Sequence, residues 1–260
     1  MDRICRLEVK RQEIYAVERD GRFHWLDGDP FGSYRVGDVV EDHSGRLLPP
    51  VQPSKIVAVG LNYRDHAREM GKALPTEPLI FLKPSTAVIG PGEKIVIPDV
   101  GRVDFESEVG IVIGRTARNV SLARANEYVL GLTCVNDVTA RELQMRDVQY
   151  TRAKGFDSFA PLGPAIAVGL DGRSLDIEGS VNGVRRQLSN TRELIFPFEQ
   201  LVEFVSGVMT LHPGDVISTG TPAGVGPLRH GDQVTVSVSG IGDLVNDVVS
   251  SAVVEVEENQ

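Results

Sequence analysis

Acidic residues alternate along one short apolar segment of the chain. Asp104, Glu106 and Glu108 occupy every second position within residues 103–114. In an extended strand such positions share a face, so the segment predicts three carboxylates side by side. Burying ionised carboxylates among apolar neighbours is costly unless a cation compensates them. Since the donors are oxygen atoms only, a hard ion such as Mg²⁺, Mn²⁺ or Ca²⁺ is indicated rather than zinc; a solvent-exposed strand face is the alternative.

A third metal ligand is available at the end of the next apolar run. Residues 129–135 lead into Asn136 and Asp137, and we predict that Asp137 completes a set of ligands with Glu106 and Glu108. An aspartate at this place could also form a turn or cap the helix that follows. Asp104 is in phase with the two glutamates, but it could equally pair with an arginine, so we assign it a supporting role.

His66 and Glu69 have the spacing of a catalytic base and its partner. Residues three apart meet on one face of a helical turn, where the carboxylate can orient the imidazole and favour its action as a base. The segment that carries them is short and polar, and Gly71 and Pro75 end it. The same pair is also common on exposed helices, which is the alternative interpretation.

Two further segments offer groups for an anionic substrate. Lys154 stands in a loop beside Gly155, where its ammonium group could neutralise substrate charge near the metal; a surface lysine is the alternative. Residues 219–226 are rich in glycine and threonine, and the hydroxyl of Thr221 together with backbone N–H groups could bind a carboxylate. This segment lacks the Gly-Lys-Ser/Thr of a phosphate-binding loop, and an ordinary turn is the other interpretation.

The elements that must position these residues are mostly short strands. From residue 79 onward, β-branched apolar runs alternate with glycine and proline, which predicts a mainly β fold, a sandwich, roll or barrel with few helices. The runs are residues 79–82, 94–97, 108–113, 165–168, 177–181, 215–218 and 233–238, with helical patterns at 122–128 and 197–205. Residues 254–260 are predicted to be a last strand that frays into a polar tail.

The first fifty residues predict a small β domain. Their short alternating segments are broken by Asp20-Gly21 and by residues 27–30, a pattern typical of hairpins. Pro49, Pro50 and Pro53 then form a stiff linker. We therefore place an N-terminal β domain at residues 1–50 and a catalytic domain at residues 51–260.

Composition argues against several classes of function. The 260 residues carry a net charge of −9 without a basic block, so nucleic acid is not an expected partner. No apolar stretch approaches the roughly 20 residues of a bilayer span, and the N-terminus lacks the apolar core of a signal peptide. Cys5 and Cys134 match no zinc or disulfide pattern. We expect a cytoplasmic protein with reduced thiols and no membrane partner.

Six motifs, taken in order along the chain, resemble the fumarylacetoacetate hydrolase family. They are residues 60–63 with His66 and Glu69, then residues 81–84, 104–108, 136–141, 154–157 and 213–224. The resemblance spans residues 54–250 and implies a β-roll of mixed sheets, usually a homodimer, with Mg²⁺ or Mn²⁺ held by the three predicted ligands. It further implies that His66 and Glu69 lie on a lid. The residues that it implies line the pocket are Arg141, Gln144, Lys154 and Thr221.

The resemblance implies a small 2-oxo acid or its enol as the substrate. A metal chelated by such a substrate is an electron sink that stabilises an enolate, and three reactions share it. Water activated by His66 and Glu69 would hydrolyse the C–C bond of an acylpyruvate, the reaction that the intact pair favours. The alternatives are decarboxylation of oxaloacetate or a related dicarboxylate, and two reactions of aromatic catabolism: isomerisation of 2-hydroxyhepta-2,4-diene-1,7-dioate and decarboxylation of 5-oxopent-3-ene-1,2,5-tricarboxylate. A metal-binding β module without catalysis is the alternative of another class, against which His66, Glu69 and Lys154 argue.

Overall fold

The computed structural model describes residues 1–41 and 45–252 and shows a mainly β protein, as predicted. The strands of these ranges are β1 (Arg3–Val9), β2 (Gln12–Arg19), β3 (Arg22–Gly28), β4 (Tyr34–Val39), β5 (Leu47–Leu48), β6 (Ile56–Gly60), β7 (Leu79–Lys83), β8 (Val88–Ile89), β9 (Ile95–Ile97), β10 (Val103–Phe105), β11 (Ser107–Ile113), β12 (Val129–Asn136), β13 (Thr139–Ala140), β14 (Ala160–Val168), β15 (Asp176–Val181), β16 (Val184–Asn190), β17 (Val216–Ser218), β18 (Gly226–Pro227), β19 (Gln233–Val238) and β20 (Gly242–Ser250).

The helices are short. The α-helices of the described ranges are α1 (Arg64–Glu69), α2 (Arg141–Asp147), α3 (Thr151–Lys154) and α4 (Phe198–Val208). The helical pattern at 197–205 is confirmed as α4, which begins after Pro197, whereas Leu122–Tyr128 forms a 3₁₀ helix instead of an α-helix. In the part of the chain that the structure describes, no helix has the length and apolar character needed to cross a membrane.

A large mixed sheet forms the frame of the molecule. Its main strand order is β4-β3-β2-β1-β14-β12-β11-β17-β6-β7; β5 pairs with β1 and β8 with β14. Every residue of β11 is buried, because neighbouring strands and packed layers cover both faces of this central strand. Strand β11, which carries Glu108 of the predicted acidic segment, is therefore fully enclosed.

A second sheet packs over the first and closes the core between them. Its strand order is β16-β15-β19-β20-β9. Ile177, Val236 and Leu244 of this sheet belong to one buried cluster with Val109 and Ile111 of β11, and helix α4 adds apolar side chains to the same cluster. A third sheet, β13-β10-β18, contains only short strands and lies beside the predicted metal ligands in sequence.

The N-terminal strands form a meander that continues the large sheet. The turn at Asp20-Gly21 joins β2 to β3, and both residues have positive φ, as in the tight turns that favour hairpins. Strand β1 also pairs with β14, with Arg3 opposite Ala167 and Ile4 opposite Ile166. The division into domains at residues 1–50 and 51–260 stays a prediction, and residues 254–260 lie outside the described ranges.

Candidate active site

Glu106 lies where the chain passes from the three-stranded sheet to the large sheet. Strand β10 pairs with β13 and β18, and β11 pairs with β12 and β17, so the predicted continuous strand over residues 103–114 is wrong, because it is interrupted at Glu106. The backbone N–H of Glu106 donates to Oδ1 of Asn136 at 3.0 Å, and its carbonyl accepts from the N–H of Asp137 at 2.9 Å. These bonds tie the first predicted ligand to the third.

The three carboxylates predicted to bind a metal converge. Ligand oxygens of Glu106, Glu108 and Asp137 all lie within 4.8 Å of one another, and all three residues are buried. No other such group of His, Cys, Asp or Glu side chains occurs in residues 1–41 and 45–252. Because the donors are carboxylate oxygens without nitrogen or sulfur, the site fits Mg²⁺ or Mn²⁺, with Ca²⁺ as a further candidate.

Hydrogen bonds hold the carboxylate of Glu108 in place. Its Oε2 accepts from the hydroxyl of Ser218 at 2.5 Å and from the backbone N–H of Gly220 at 2.9 Å. Both donors lie at the end of β17, the parallel neighbour of β6 in the large sheet. The segment 219–226 therefore supports a predicted metal ligand through its first glycine, a contact that the sequence did not indicate.

Two buried lysines balance part of the negative charge. Nζ of Lys154 donates to Glu106 Oε2 at 2.8 Å and to Asp137 Oδ2 at 2.6 Å, while Nζ of Lys83 donates to Asp137 Oδ1. Lys154 is only 3% exposed, so the alternative of a surface lysine is wrong. Its Nζ also lies 5.1 Å from the centre of the Phe81 ring. A lysine between two predicted ligands can compensate the negative charge of their carboxylates when no metal is bound, and that of an anionic substrate when one is.

The two glutamates have opposite pKa shifts. Burial would raise the pKa of Glu106, but the charges of Lys154 and Arg141 outweigh it and lower the pKa to about 2. For Glu108, burial first and the charges of Asp137 and Glu106 next raise the pKa to about 8. Glu108 is therefore the carboxylate whose ionisation is most costly without a cation.

Divalent-cation affinity is expected to rise with pH through about 8, because Glu108 must be ionised to act as a ligand. Without a cation, the unfolded chain ionises this residue first, so stability should fall as pH increases from its ordinary pKa of 4.5 to about 8. Thermal unfolding at several pH values, in EDTA and in Mn²⁺, measures both effects. Glu108→Gln should remove the contribution of this residue to the fall of stability with pH. If stability in EDTA fell with pH as steeply in the variant as in the wild type, Glu108 would not be the group responsible.

His66 and Glu69 form the predicted pair on helix α1. Nδ1 of His66 lies 2.9 Å from Oε2 of Glu69, and Oε1 of Glu69 accepts from the backbone N–H of Gly224 at 3.1 Å. A second contact on this helix joins Asp65 to the hydroxyl of Ser189 at 2.5 Å. The helix is therefore fastened at two places, to the loop after β17 through Gly224 and to strand β16 through Ser189.

One cleft of about 470 Å³ contains eight of the nine predicted site residues. Those that line it are His66, Glu106, Glu108, Asp137, Arg141, Gln144, Lys154 and Thr221. The ninth, Glu69, reaches the cleft through its hydrogen bond to His66. A larger surface cavity, about 750 Å³, lies around the start of α4, but it holds no cluster of three metal-binding groups among the described residues. The residues predicted to do chemistry are therefore concentrated in the smaller cleft.

Arg141 and Gln144 lie on one face of α2 at the cleft. Nη1 of Arg141 donates to Oε1 of Gln144 at 3.0 Å. Nη2 of Arg141 lies 2.5 Å from Glu106 Oε1 and forms an ion pair with it. Nε of the same arginine donates to Asp104 at 2.7 Å. The guanidinium group is thus oriented from several sides.

Asp104 pairs with arginines, which was the second of its two predicted alternatives. Nε of Arg102 donates to Oδ1 of Asp104 at 2.7 Å, and Arg141 donates to Oδ2. The expectation that three acids share one strand face is wrong, because the strand is interrupted at Glu106. Asp104 instead supports the site by orienting Arg141.

Several residues of the site were missed by sequence reasoning. Lys83, Ser218, Gly220 and Gln187 each contact a predicted ligand or its neighbouring backbone. Lys83 lies in a motif that carried the family resemblance, which was a usable signal. Gln187 lies in a polar strand without any motif, so nothing in the sequence identified it.

Comparison with known proteins agrees with this architecture. Residues 55–249 match the family described as fumarylacetoacetate (FAA) hydrolase C-terminal. The solved structure of 5-carboxymethyl-2-hydroxymuconate delta-isomerase from Mycobacterium smegmatis is 44% identical, with a TM-score of 0.89 over 96% of this chain and 100% of that chain. The mitochondrial oxaloacetate tautomerase Fahd2a of Rattus norvegicus is 40% identical over 215 residues, which are 78% of this chain and 69% of that protein.

A third relative was solved with a metal. The structure of maleylpyruvate hydrolase from Sphingobium sp. SYK-6 in complex with manganese(II) ion and pyruvate is 34% identical, with a TM-score of 0.72 over 82% of this chain and 77% of that chain. The family match covers well over half of the chain, and close relatives share its whole fold. The chain therefore belongs to the fumarylacetoacetate hydrolase family, whose members are enzymes.

Proposed function

We propose that this protein is a divalent-cation-dependent enzyme that transfers a proton at the carbon next to the 2-oxo group of a small 2-oxo acid, as a tautomerase or isomerase. The observation that carries the proposal is the cleft in which a triad of buried carboxylates and the imidazole of His66 face the same space. The relatives named as delta-isomerase and oxaloacetate tautomerase support it, because both names describe a shift of a proton and a double bond.

Glu106, Glu108 and Asp137 would hold the cation, and we propose Mg²⁺ or Mn²⁺. When bound, the cation would act as a Lewis acid that stabilises the negative charge left on the substrate oxygen as the proton departs. The guanidinium of Arg141 and the ammonium of Lys154 lie beside the same carboxylates, where they can pair with an anionic substrate. Gln144 and Thr221 add polar groups to the cleft wall.

His66 is the proposed base. A carboxylate can only accept a hydrogen bond, so Nδ1 of His66 carries the proton that Glu69 accepts. In the neutral imidazole this tautomer leaves Nε2 with a free lone pair, which can remove a proton from the substrate. Glu69 fixes the tautomer and the orientation of the ring, and it is itself held by the N–H of Gly224.

Hydrolysis of an acylpyruvate is the second candidate, and the sequence predicted it first. The same His66–Glu69 pair could activate a water molecule instead of a substrate proton. The related maleylpyruvate hydrolase, solved with manganese and pyruvate, supports this alternative. Proton transfer is preferred here because the more similar named relatives carry out that class of reaction.

Parallel assays separate these functions. The conversion of enol-oxaloacetate into its keto form, the cleavage of acetylpyruvate and the release of CO₂ from oxaloacetate would be measured with Mg²⁺ or Mn²⁺ and with EDTA, after subtraction of the metal-only rates. Accelerated enol–keto conversion that EDTA abolishes is the expected result. Acetylpyruvate cleavage alone would favour the hydrolase, and CO₂ release alone the decarboxylase. Metal binding with no turnover of these or of a 2-hydroxy-dienoate would favour a binding module.

Lys72 offers a positive charge for a second substrate carboxylate. It lines the cleft directly after α1, where the N–H of Lys72 donates to the carbonyl of Ala67 and that of Gly71 to Arg68, a Schellman motif. These bonds fix the backbone of Lys72 on the same lid as His66. Within the described ranges, its ammonium group has no carboxylate partner within 4.0 Å.

Lys72→Met is therefore expected to raise KM for oxaloacetate by about two- to fivefold, the effect of one exposed charge pair, with kcat little changed. KM for acetylpyruvate, which lacks a second carboxylate, should stay the same. Lys94→Met, which removes an exposed lysine outside the cleft lining, is the control. Equal KM changes for both substrates would show that Lys72 does not bind the second carboxylate.

A further inference from the structure

Gln187 is a buried amide in a strand that is otherwise open to solvent. It lies in β16, the edge of the second sheet, where Arg185, Arg186 and Leu188 are exposed while Gln187 is 0% exposed. A buried amide is costly unless its polar atoms are hydrogen-bonded. The structure satisfies both ends of this side chain, and all of its partners lie next to the candidate metal centre.

The amide of Gln187 bridges two segments of the site. Its Oε1 accepts from the backbone N–H of Ser107 at 2.9 Å. Its Nε2 donates to the hydroxyl of Thr221 and to the carbonyl of Pro222, both at 2.8 Å. The orientation of the amide is fixed by its partners, because the N–H of Ser107 requires an acceptor and the carbonyl of Pro222 requires a donor.

Ser107 is the single residue between Glu106 and Glu108. Its N–H is held by Gln187, and its carbonyl accepts from the hydroxyl of Thr221 at 3.0 Å. Gln187, Thr221 and Ser107 therefore form a closed triangle of hydrogen bonds. Because both peptide groups that flank Ser107 are fixed in this way, the directions in which the two glutamate side chains leave the backbone are fixed as well.

Gly179 makes room for this contact. It is the cross-strand partner of Gln187 in β15, beside a register shift between Gly179 and Ser180. A Cβ atom at position 179 would lie 2.3 Å from Oγ of Ser107 and 2.9 Å from Oε1 of Gln187, too close for any larger residue without a shift. The glycine thus lets the second sheet approach the backbone that carries the metal ligands.

We propose that Gln187 is a positioning residue that sets the relative placement of the Glu106 and Glu108 carboxylates, so that cation affinity depends on it. The inference rests on the proposed function, since it assumes that these carboxylates bind a divalent cation. Groups that hold metal ligands in place typically change metal affinity by about 10- to 100-fold when removed. Gln187 has this role although it lies on another sheet and touches neither carboxylate.

The test compares two buried amides of the same sheet. Gln187→Met removes the bridge with little change in side-chain volume. Asn246→Leu removes an amide that donates to the carbonyls of Gly90 and Glu93, which do not belong to the triangle of Gln187, Thr221 and Ser107. Mn²⁺ dissociation constants of the metal-stripped proteins would be measured by titration, together with thermal unfolding in EDTA. Both variants should lose stability, but only Gln187→Met should weaken Mn²⁺ binding, by about tenfold or more.

Failure of the role of Gln187 and failure of the proposed function give different results. Unchanged Mn²⁺ affinity in Gln187→Met, or an equal loss in Asn246→Leu, would overturn the role of Gln187. If the wild-type protein itself binds no Mn²⁺, the proposed function fails instead. Should Gln187→Met not fold, Thr221→Val opens the same triangle at its other corner and must weaken Mn²⁺ binding likewise; an unchanged affinity there would also overturn the inference.

Discussion

Glu108→Gln is expected to abolish metal-dependent turnover and to remove tight Mn²⁺ binding. Loss of a group that only supports a ligand costs about 10- to 100-fold in affinity, so loss of a ligand should cost more. The substitution keeps an oxygen that can accept from Ser218 and Gly220, and therefore the fold should be retained. Turnover and Mn²⁺ titration measure the effect.

Glu108 is a better choice for this test than Glu106. Removing Glu106 would leave Lys154 and Arg141 without one of their partners, and breaking a buried ion pair costs about 3–5 kcal/mol. Among the residues that the structure describes, Glu108 has no cationic partner at ion-pair distance, so its removal leaves no such charge behind. Because burial raises the pKa of Glu108 to about 8, the glutamine variant should even be more stable than the wild type in EDTA above that pH.

Asp215→Asn is the matched control. Asp215 is a fully buried acid that accepts hydrogen bonds from Ser54 and the backbone of Lys55 and forms an ion pair with Nζ of Lys55, so it tests the loss of a buried charge away from the three predicted ligands. Its substitution should lower stability without changing Mn²⁺ affinity. If the Glu108 variant kept full metal-dependent activity, Glu108 would not be a ligand, and the carboxylate triad would lose its assigned role.

His66→Ala should lower kcat by roughly 10²- to 10⁴-fold, the range expected for loss of a general base. Mn²⁺ affinity should remain, since His66 contacts Glu69 and not the carboxylate triad. The rate of enol–keto conversion and a Mn²⁺ titration would be measured on the same preparation. This combination separates loss of proton transfer from loss of the metal.

Arg68→Ala is the control on the same helix. Arg68 is exposed and pairs with Glu193 at 3.5 Å. Its removal weakens the anchoring of α1 without touching His66, so this variant separates the effect of a loosened helix from the effect of a lost imidazole. It should change kcat little. If His66→Ala and Arg68→Ala lost activity equally, or if cation affinity fell together with kcat in the His66 variant, His66 would act in lid closure and not as the base.

Local sequence patterns predicted most of the elements, because they depend on neighbours in the chain. The turn at Asp20-Gly21 and the β-branched runs that became β11, β15 and β19 need only local backbone preferences and alternation. Glu106, Glu108 and Asp137 were also found from their types and their places beside apolar runs, and the structure brings them together. Their roles as ligands stay a prediction until metal binding is measured.

Long-range contacts explain where the predictions were wrong or incomplete. The interruption at Glu106 results from hydrogen bonds with Asn136, the last residue of β12, and with Asp137 directly after it, both about thirty positions away. Alternation alone cannot show such a break, so Asp104 appeared to share a face with the glutamates. Likewise, the pairing of Lys83 with Asp137 could not be predicted, because the residues around a lysine at the end of an apolar run do not indicate which acid it will contact.

Residue types and local patterns were enough to predict the mainly β character, the family and the residue types of the candidate carboxylate site with its proposed histidine base. The partners that complete this site became visible only in the folded chain. They are Lys83 on Asp137, Ser218 and Gly220 on Glu108, and Gln187 on the backbone between the glutamates, while Lys154, predicted near the metal, bonds to Asp137 and Glu106. The physical reason is that buried charges and amides must find partners wherever the folded chain brings them, and that need is met across sheets instead of along the sequence.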